Sequence, residues 1–192
     1  MKYLWAALAS LLMSTAGGAG APALPGDSVY QLQVELTTQD GSARRLVEMR
    51  GHPVLIAMFY ASCGGVCPTI AFTMRRMEAA LTPGERDALR SVMVSFDPER
   101  DNREALAEFA RVNKLEDPRW IVARTPEPTV RNLAAVLVVR YRKLPDQTFS
   151  HSTIIALLDA DGVIRARTAK LSELDPDFMR TLSETIARGA RP

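Results

Sequence analysis

The chain has 192 residues, with 24 basic and 22 acidic side chains, a net charge of +2, 47% hydrophobic residues and two cysteines. That is enough apolar sequence for one self-sufficient core, and too few cysteines for a disulfide scaffold. The arginines are scattered through the chain, so nothing in the charge pattern indicates nucleic acid as a partner.

The N-terminus carries Lys2, an apolar stretch from Tyr3 to Met13 and the small-residue run Ser14 to Ala21. Charge, short apolar region and small residues in that order form the layout of a secretory leader. The apolar run is shorter than the about 20 residues that a spanning helix needs. The expectation is a signal peptide over residues 1–23, a single domain over 24–192, and a periplasmic or otherwise extracytoplasmic location. The alternative is an uncleaved N-terminal segment that anchors the domain to the membrane.

Gln31 to Leu36 alternates polar and apolar residues, and Arg45 to Met49 follows the Asp40-Gly41 turn signal, which predicts an outer hairpin. Pro53 to Tyr60 is apolar throughout, as a central strand covered on both faces must be. Beyond Cys67, the spacing of Ile70, Met74, Met77 and Leu81 predicts a helix that stops at Thr82-Pro83-Gly84. Ser91 to Phe96 reads as a second buried strand, and Asp101-Asn102 as the cap of a helix over Arg103 to Lys114. A short strand at Ile121 to Ala123, a helix ending near Leu137, a hairpin over Thr153 to Thr168 and a helix from Asp175 to Arg188 complete the chain. Strands alternating with helices point to an α/β sandwich around a mixed, mostly parallel sheet with an N-terminal hairpin.

Cys63-Gly64-Gly65-Val66-Cys67-Pro68 lies between the central strand and the first long helix. Ligands bind at the carboxyl ends of strands in such sheets, and a helix N-terminus favours thiolate over thiol. A loop this small closes little chain entropy, so folding alone does not explain the pair. The CxxxC loop is one residue longer than the usual dithiol turn, which lets both sulfurs converge on a metal while a disulfide stays feasible. Thiolates favour Cu(I), and an added imidazole makes Cu(II) acceptable.

Two histidines are available. His52 reads as a turn residue before the central strand, and His151, in Ser150-His151-Ser152, as the third ligand once the cysteine pair is considered. Met58, Met74, Met77 and Met93 fit buried positions and read as core. Asp159-Ala160-Asp161-Gly162 lacks the remaining positions of a calcium loop and reads as a turn.

Phe59-Tyr60 before the CGGVCP hexapeptide, Val94 to Asp101 (VSFDPERD), and His151-Ser152 followed by Leu158 to Gly162 (LDADG) together resemble the Sco/SenC family, in the family's order. The resemblance implies a thioredoxin-like three-layer sandwich that binds one copper ion through Cys63, Cys67 and His151, with Asp97 as a supporting carboxylate. It also implies a role in building the dinuclear copper centre of cytochrome oxidase, as copper donor, as reductant of the target's cysteines, or both. The implied partners are a copper-enzyme target such as an oxidase copper-site subunit and a copper donor protein. A metallochaperone is the leading expectation, and a metal-free thiol-disulfide oxidoreductase using Cys63 and Cys67 is the alternative. The chain departs from the family's common pattern at Gly64, where proline is usual, at Ser150, where an acidic residue is usual, and in a shorter Tyr141 to Gln147 stretch.

Overall fold

The computed structural model describes residues 23–189, so residues 1–22 of the expected leader lie outside the described residues. In chain order the elements are β1 (Glu35–Thr38), β2 (Ala43–Arg45), β3 (Val54–Phe59), α1 (Val66–Ala79), α2 (Pro83–Ala88), β4 (Arg90–Ser95), α3 (Arg103–Val112), β5 (Trp120–Arg124), α4 (Glu127–Leu137), β6 (Tyr141–Lys143), β7 (Phe149–His151), β8 (Ile155–Leu158), β9 (Ile164–Thr168) and α5 (Pro176–Gly189). Short 3₁₀ turns cover Val29–Leu32 and Leu46–Met49.

Seven strands form one sheet in the order β2-β1-β5-β4-β3-β8-β9, and β6 pairs only with β7. Every residue of β3 and of β8 is buried, so helices cover both faces of the centre, as in a thioredoxin-like sandwich. The sheet is mixed as expected, but it is not mostly parallel. Only β3–β4 and β4–β5 are parallel, joined by the helical crossovers that parallel neighbours require. The β1–β2 and β8–β9 hairpins are antiparallel, and each also joins the parallel centre in the antiparallel sense.

The predicted outer hairpin exists, but its strands are shifted. Gln31 and Leu32 belong to a 3₁₀ turn, and the second strand ends at Arg45 rather than reaching Met49. Thr82-Pro83-Gly84 stops α1 as expected and also starts α2. The Thr82 side chain accepts from the Glu85 amide while the Glu85 carboxylate accepts from the Thr82 amide, a capping box with proline in the first turn. Asn102 caps α3 by accepting from the Ala105 amide. Ile70, Met74 and Met77 are fully buried, which makes the helical spacing after Cys67 the core face of α1.

Candidate metal centre

The chain leaves β3 at Phe59, turns through residues 61–65 and enters α1 at Val66, so Cys67 sits in the first helical turn. Two contacts set the turn: the Cys63 amide donates to the Tyr60 carbonyl at 3.2 Å, and the Ala61 amide donates to Asp101 Oδ2 at 2.8 Å. The Ser95 hydroxyl donates to the same carboxylate oxygen. Asp101, only 1% exposed, therefore ties the cysteine turn to the end of β4.

His151 arrives from the other side, on the two-stranded ribbon β6–β7, where it pairs with Tyr141. The Ser152 amide donates to the Arg140 carbonyl at 2.8 Å, and the Arg140 amide donates to Ser152 Oγ at 2.9 Å, which closes the ribbon's open end. Its inner face stacks on an aromatic wall. Phe96 lies 5.3 Å from Tyr141, 5.2 Å from Phe149 and 5.0 Å from the His151 ring, and Tyr60 meets that imidazole edge-on at 5.9 Å. These ring contacts hold the imidazole plane.

The ligand atoms of Cys63, Cys67 and His151 all lie within 4.8 Å of one another. Cys67 Sγ is 3.8 Å from His151 Nε2. A metal bonded to sulfur at about 2.3 Å and to imidazole nitrogen at about 2.0 Å holds those two atoms roughly 3.5–4 Å apart. The Cys67–His151 pair therefore fits a shared metal ion in its observed arrangement, with Cys63 close enough to join it. His151 Nδ1 lies 3.2 Å from the Ser152 carbonyl, which can only accept, so the proton sits on Nδ1 and the Nε2 lone pair faces the sulfurs.

The two thiols differ. Burial pushes the Cys63 thiol up, but the amides of Cys67 and Gly65, the Cys67 thiol and the Tyr60 hydroxyl stabilise its thiolate and bring it below the ordinary thiol value. Burial drives the Cys67 thiol far above the ordinary range, with Cys63 and the Asp101 charge adding to the effect. Cys63 is 9% exposed and opens on a groove of about 450 Å³ lined by Pro68, Phe109 and Val112, whereas Cys67 is fully enclosed.

Asp97 is 3% exposed, and its carboxylate pairs with Arg100, whose guanidinium lies 5.7 Å from the centre of the Phe149 ring. Its carbonyl accepts from the Arg100 and Asp101 amides, so it shapes the turn that presents Asp101. The carboxylate that hydrogen-bonds the cysteine turn is that of Asp101, which the sequence offers only as part of a helix cap. His52 stands apart from the ligand group, with Nδ1 3.1 Å from the Ala88 carbonyl and Nε2 3.4 Å from Arg90. Met58 and Met93 are core residues, 1% and 0% exposed. Gly162 adopts φ +81° and closes the Asp159 turn, where Asp159 Oδ1 accepts from the Asp161 and Val163 amides.

A thioredoxin-like sandwich with two thiols at a strand-to-helix turn and an imidazole facing them defines a class of metal-binding or redox-active thiol protein. The SCO1/SenC family model matches residues 24–186, and the chain belongs to that family. It is 28% identical over 134 residues to the SCO2-like protein of Rickettsia felis, an alignment covering 67% of this chain and 63% of that protein. To the human mitochondrial SCO2 homologue it is 28% identical over 159 residues, covering 74% of this chain and 57% of the relative. The chain thus spans less than two thirds of the length of these two relatives. Among solved structures, ScoI of Bradyrhizobium japonicum with copper bound superposes with a TM-score of 0.66 at 25% identity, covering 79% of this chain and 96% of that one.

Proposed function

We propose that this protein is an extracytoplasmic copper-binding protein that takes one copper ion on Cys63, Cys67 and His151. Its role is to deliver that ion to a copper-enzyme target, foremost the dinuclear copper site of cytochrome c oxidase, or to prepare the target's thiols. The observation that carries the reading is the convergence of those three donors within 4.8 Å, from elements far apart in the chain. The copper-bound ScoI of Bradyrhizobium japonicum supports it as a relative that holds this metal.

Copper is the cargo, and the chain's own groups provide the conditions for holding and releasing it. Two soft sulfurs and one imidazole suit either copper oxidation state. The aromatic wall orients the imidazole, and the Ser152 carbonyl fixes its tautomer. Cys63, the more exposed thiol, is where an incoming ligand of a recipient would first meet the site. Residues 1–23 serve as the export signal in this reading, and an uncleaved form would remain at the membrane. Among the described residues, no helix is long and apolar enough to cross one.

Reduced protein is loaded with copper, freed of excess metal and assayed for bound copper, alongside His151→Ala. Retention of one ion by the wild type, with loss or a changed spectrum in the variant, supports the reading. No retained copper, or identical retention and spectrum in both, overturns it. The asymmetric pair of thiols also suits a dithiol reductase that needs no metal. Reduction of a target disulfide to its dithiol, with Cys63 and Cys67 becoming the disulfide, that survives His151→Ala and disappears in Cys63→Ser would favour that second role.

A further inference from the structure

The ribbon that presents His151 has an outer face that the ligand set does not use. Residues alternate across β6–β7, so the neighbours of Tyr141 and His151 point the other way. Arg142 lies opposite Ser150, and Arg140 lies opposite Ser152. A pocket of about 400 Å³ is lined by Arg140, Tyr141, Arg142, Ser150, His151 and Ser152. Arg140, Arg142 and Ser150 are exposed.

Neighbouring cations are already engaged: Arg100 with Asp97, Arg131 with Glu127, and Lys143 with Glu99 at 3.7 Å. Among the described residues, neither the Arg140 nor the Arg142 guanidinium has a hydrogen bond or ion pair. Ser152 Oγ accepts the Arg140 amide and keeps its own proton to donate, and the Ser150 hydroxyl is unpaired. The face is therefore rich in uncommitted donors and bears two uncompensated positive charges in a pocket that shares His151 with the thiol site. Two guanidinium forks on the same face as two hydroxyls match carboxylates.

We infer that the outer face of β6–β7 is a docking surface for an acidic protein segment, which it steers so that the partner's cysteines reach Cys63. A protein rather than an anionic lipid is the occupant, because the face borders a site whose chemistry is exchange with another protein's thiols. The inference rests on the proposed reading of this end of the molecule as a meeting point for a partner's thiols, and not on copper being bound. Attraction of this kind acts on encounter rate and weakens as salt screens it.

The test uses reduced, metal-free protein and cysteine peptides activated as 2-thiopyridyl disulfides, one carrying glutamates beside the cysteine, one lysines and one neither. The Cys63 thiolate attacks the peptide sulfur, the probe's disulfide breaks, a Cys63–peptide disulfide forms, and 2-thiopyridone leaves with a proton from solvent and is read by absorbance. At low ionic strength the acidic probe is expected to react about tenfold faster than the basic one, with the ratio collapsing near 1 M salt. Arg140→Glu/Arg142→Glu should invert the ratio while leaving the neutral probe's rate and the circular dichroism unchanged. Arg140→Gln/Arg142→Gln should abolish the preference, and serves if the charge reversal disturbs folding. Equal rates for acidic and basic probes, a ratio indifferent to salt, or a preference that survives both variants overturns the inference. So does an effect of the arginines confined to binding vesicles of anionic lipid. Copper retention, measured separately, reports on the proposed function alone, so the two can fail independently.

Discussion

Cys63 and Cys67 share one loop but have different environments, and the difference should be measurable. Cys63 meets backbone amides, the Tyr60 hydroxyl and a groove, while Cys67 is sealed under the ribbon. Iodoacetamide should modify Cys63 first in the reduced apo-protein. The rate should rise with pH through a midpoint below the ordinary thiol value, because a lowered pKa exposes the thiolate at lower pH. Peptide mapping that finds Cys67 modified first would contradict this. Gly64 makes a second case. Its φ is not in the left-handed region, and a Cβ there meets nothing within 4 Å, so the structure does not require glycine. Gly64→Ala should raise stability by about 0.4–1 kcal/mol in urea unfolding, by restricting the unfolded chain, and should leave copper retention intact. At this scale the sequence makes the three candidate donors legible, because each lies in a short motif. Asp101 is not legible, since Asp-Asn before a helix reads as a cap and its burial depends on the distant turn at Ala61 folding over it.

The placement of α1 depends on a polar tie at its far end. Glu78, 6% exposed, accepts from the Ser91 hydroxyl at 2.6 Å and from the Trp120 indole at 3.0 Å, joining α1 to β4 and β5. Glu78→Ala strands both buried donors and should cost about 2–3 kcal/mol in urea unfolding. Glu78→Gln, which keeps an acceptor, should cost less. Equal stability of wild type and Glu78→Ala would show that water satisfies these donors. The long elements were legible because they are periodic: β3 is continuously apolar and α1 repeats at helical spacing. The β6–β7 ribbon was not. Its strands are three residues each, only partly buried, and held by pairing with each other rather than by an apolar pattern. The parallel bias of the predicted sheet failed for a related reason: the strands were legible, but not which edges the two hairpins would join.

At the scale of the whole molecule, a nearly balanced net charge of +2 conceals a local asymmetry, with the unpaired Arg140 and Arg142 beside the one cluster of thiol and imidazole groups found among the described residues. The fold brings together a loop after a central strand and a histidine on the β6–β7 ribbon, with His151 lying 84 residues beyond Cys67. The donor group therefore requires the tertiary fold. The proposed site is a mixed sulfur–nitrogen copper site, and X-ray absorption at the copper edge of the loaded, reduced protein tests that directly. The expected spectrum has two sulfur scatterers and an imidazole nitrogen, with the imidazole contribution lost in His151→Ala. A spectrum made up of oxygen ligands, or one unchanged by removing His151, would contradict it.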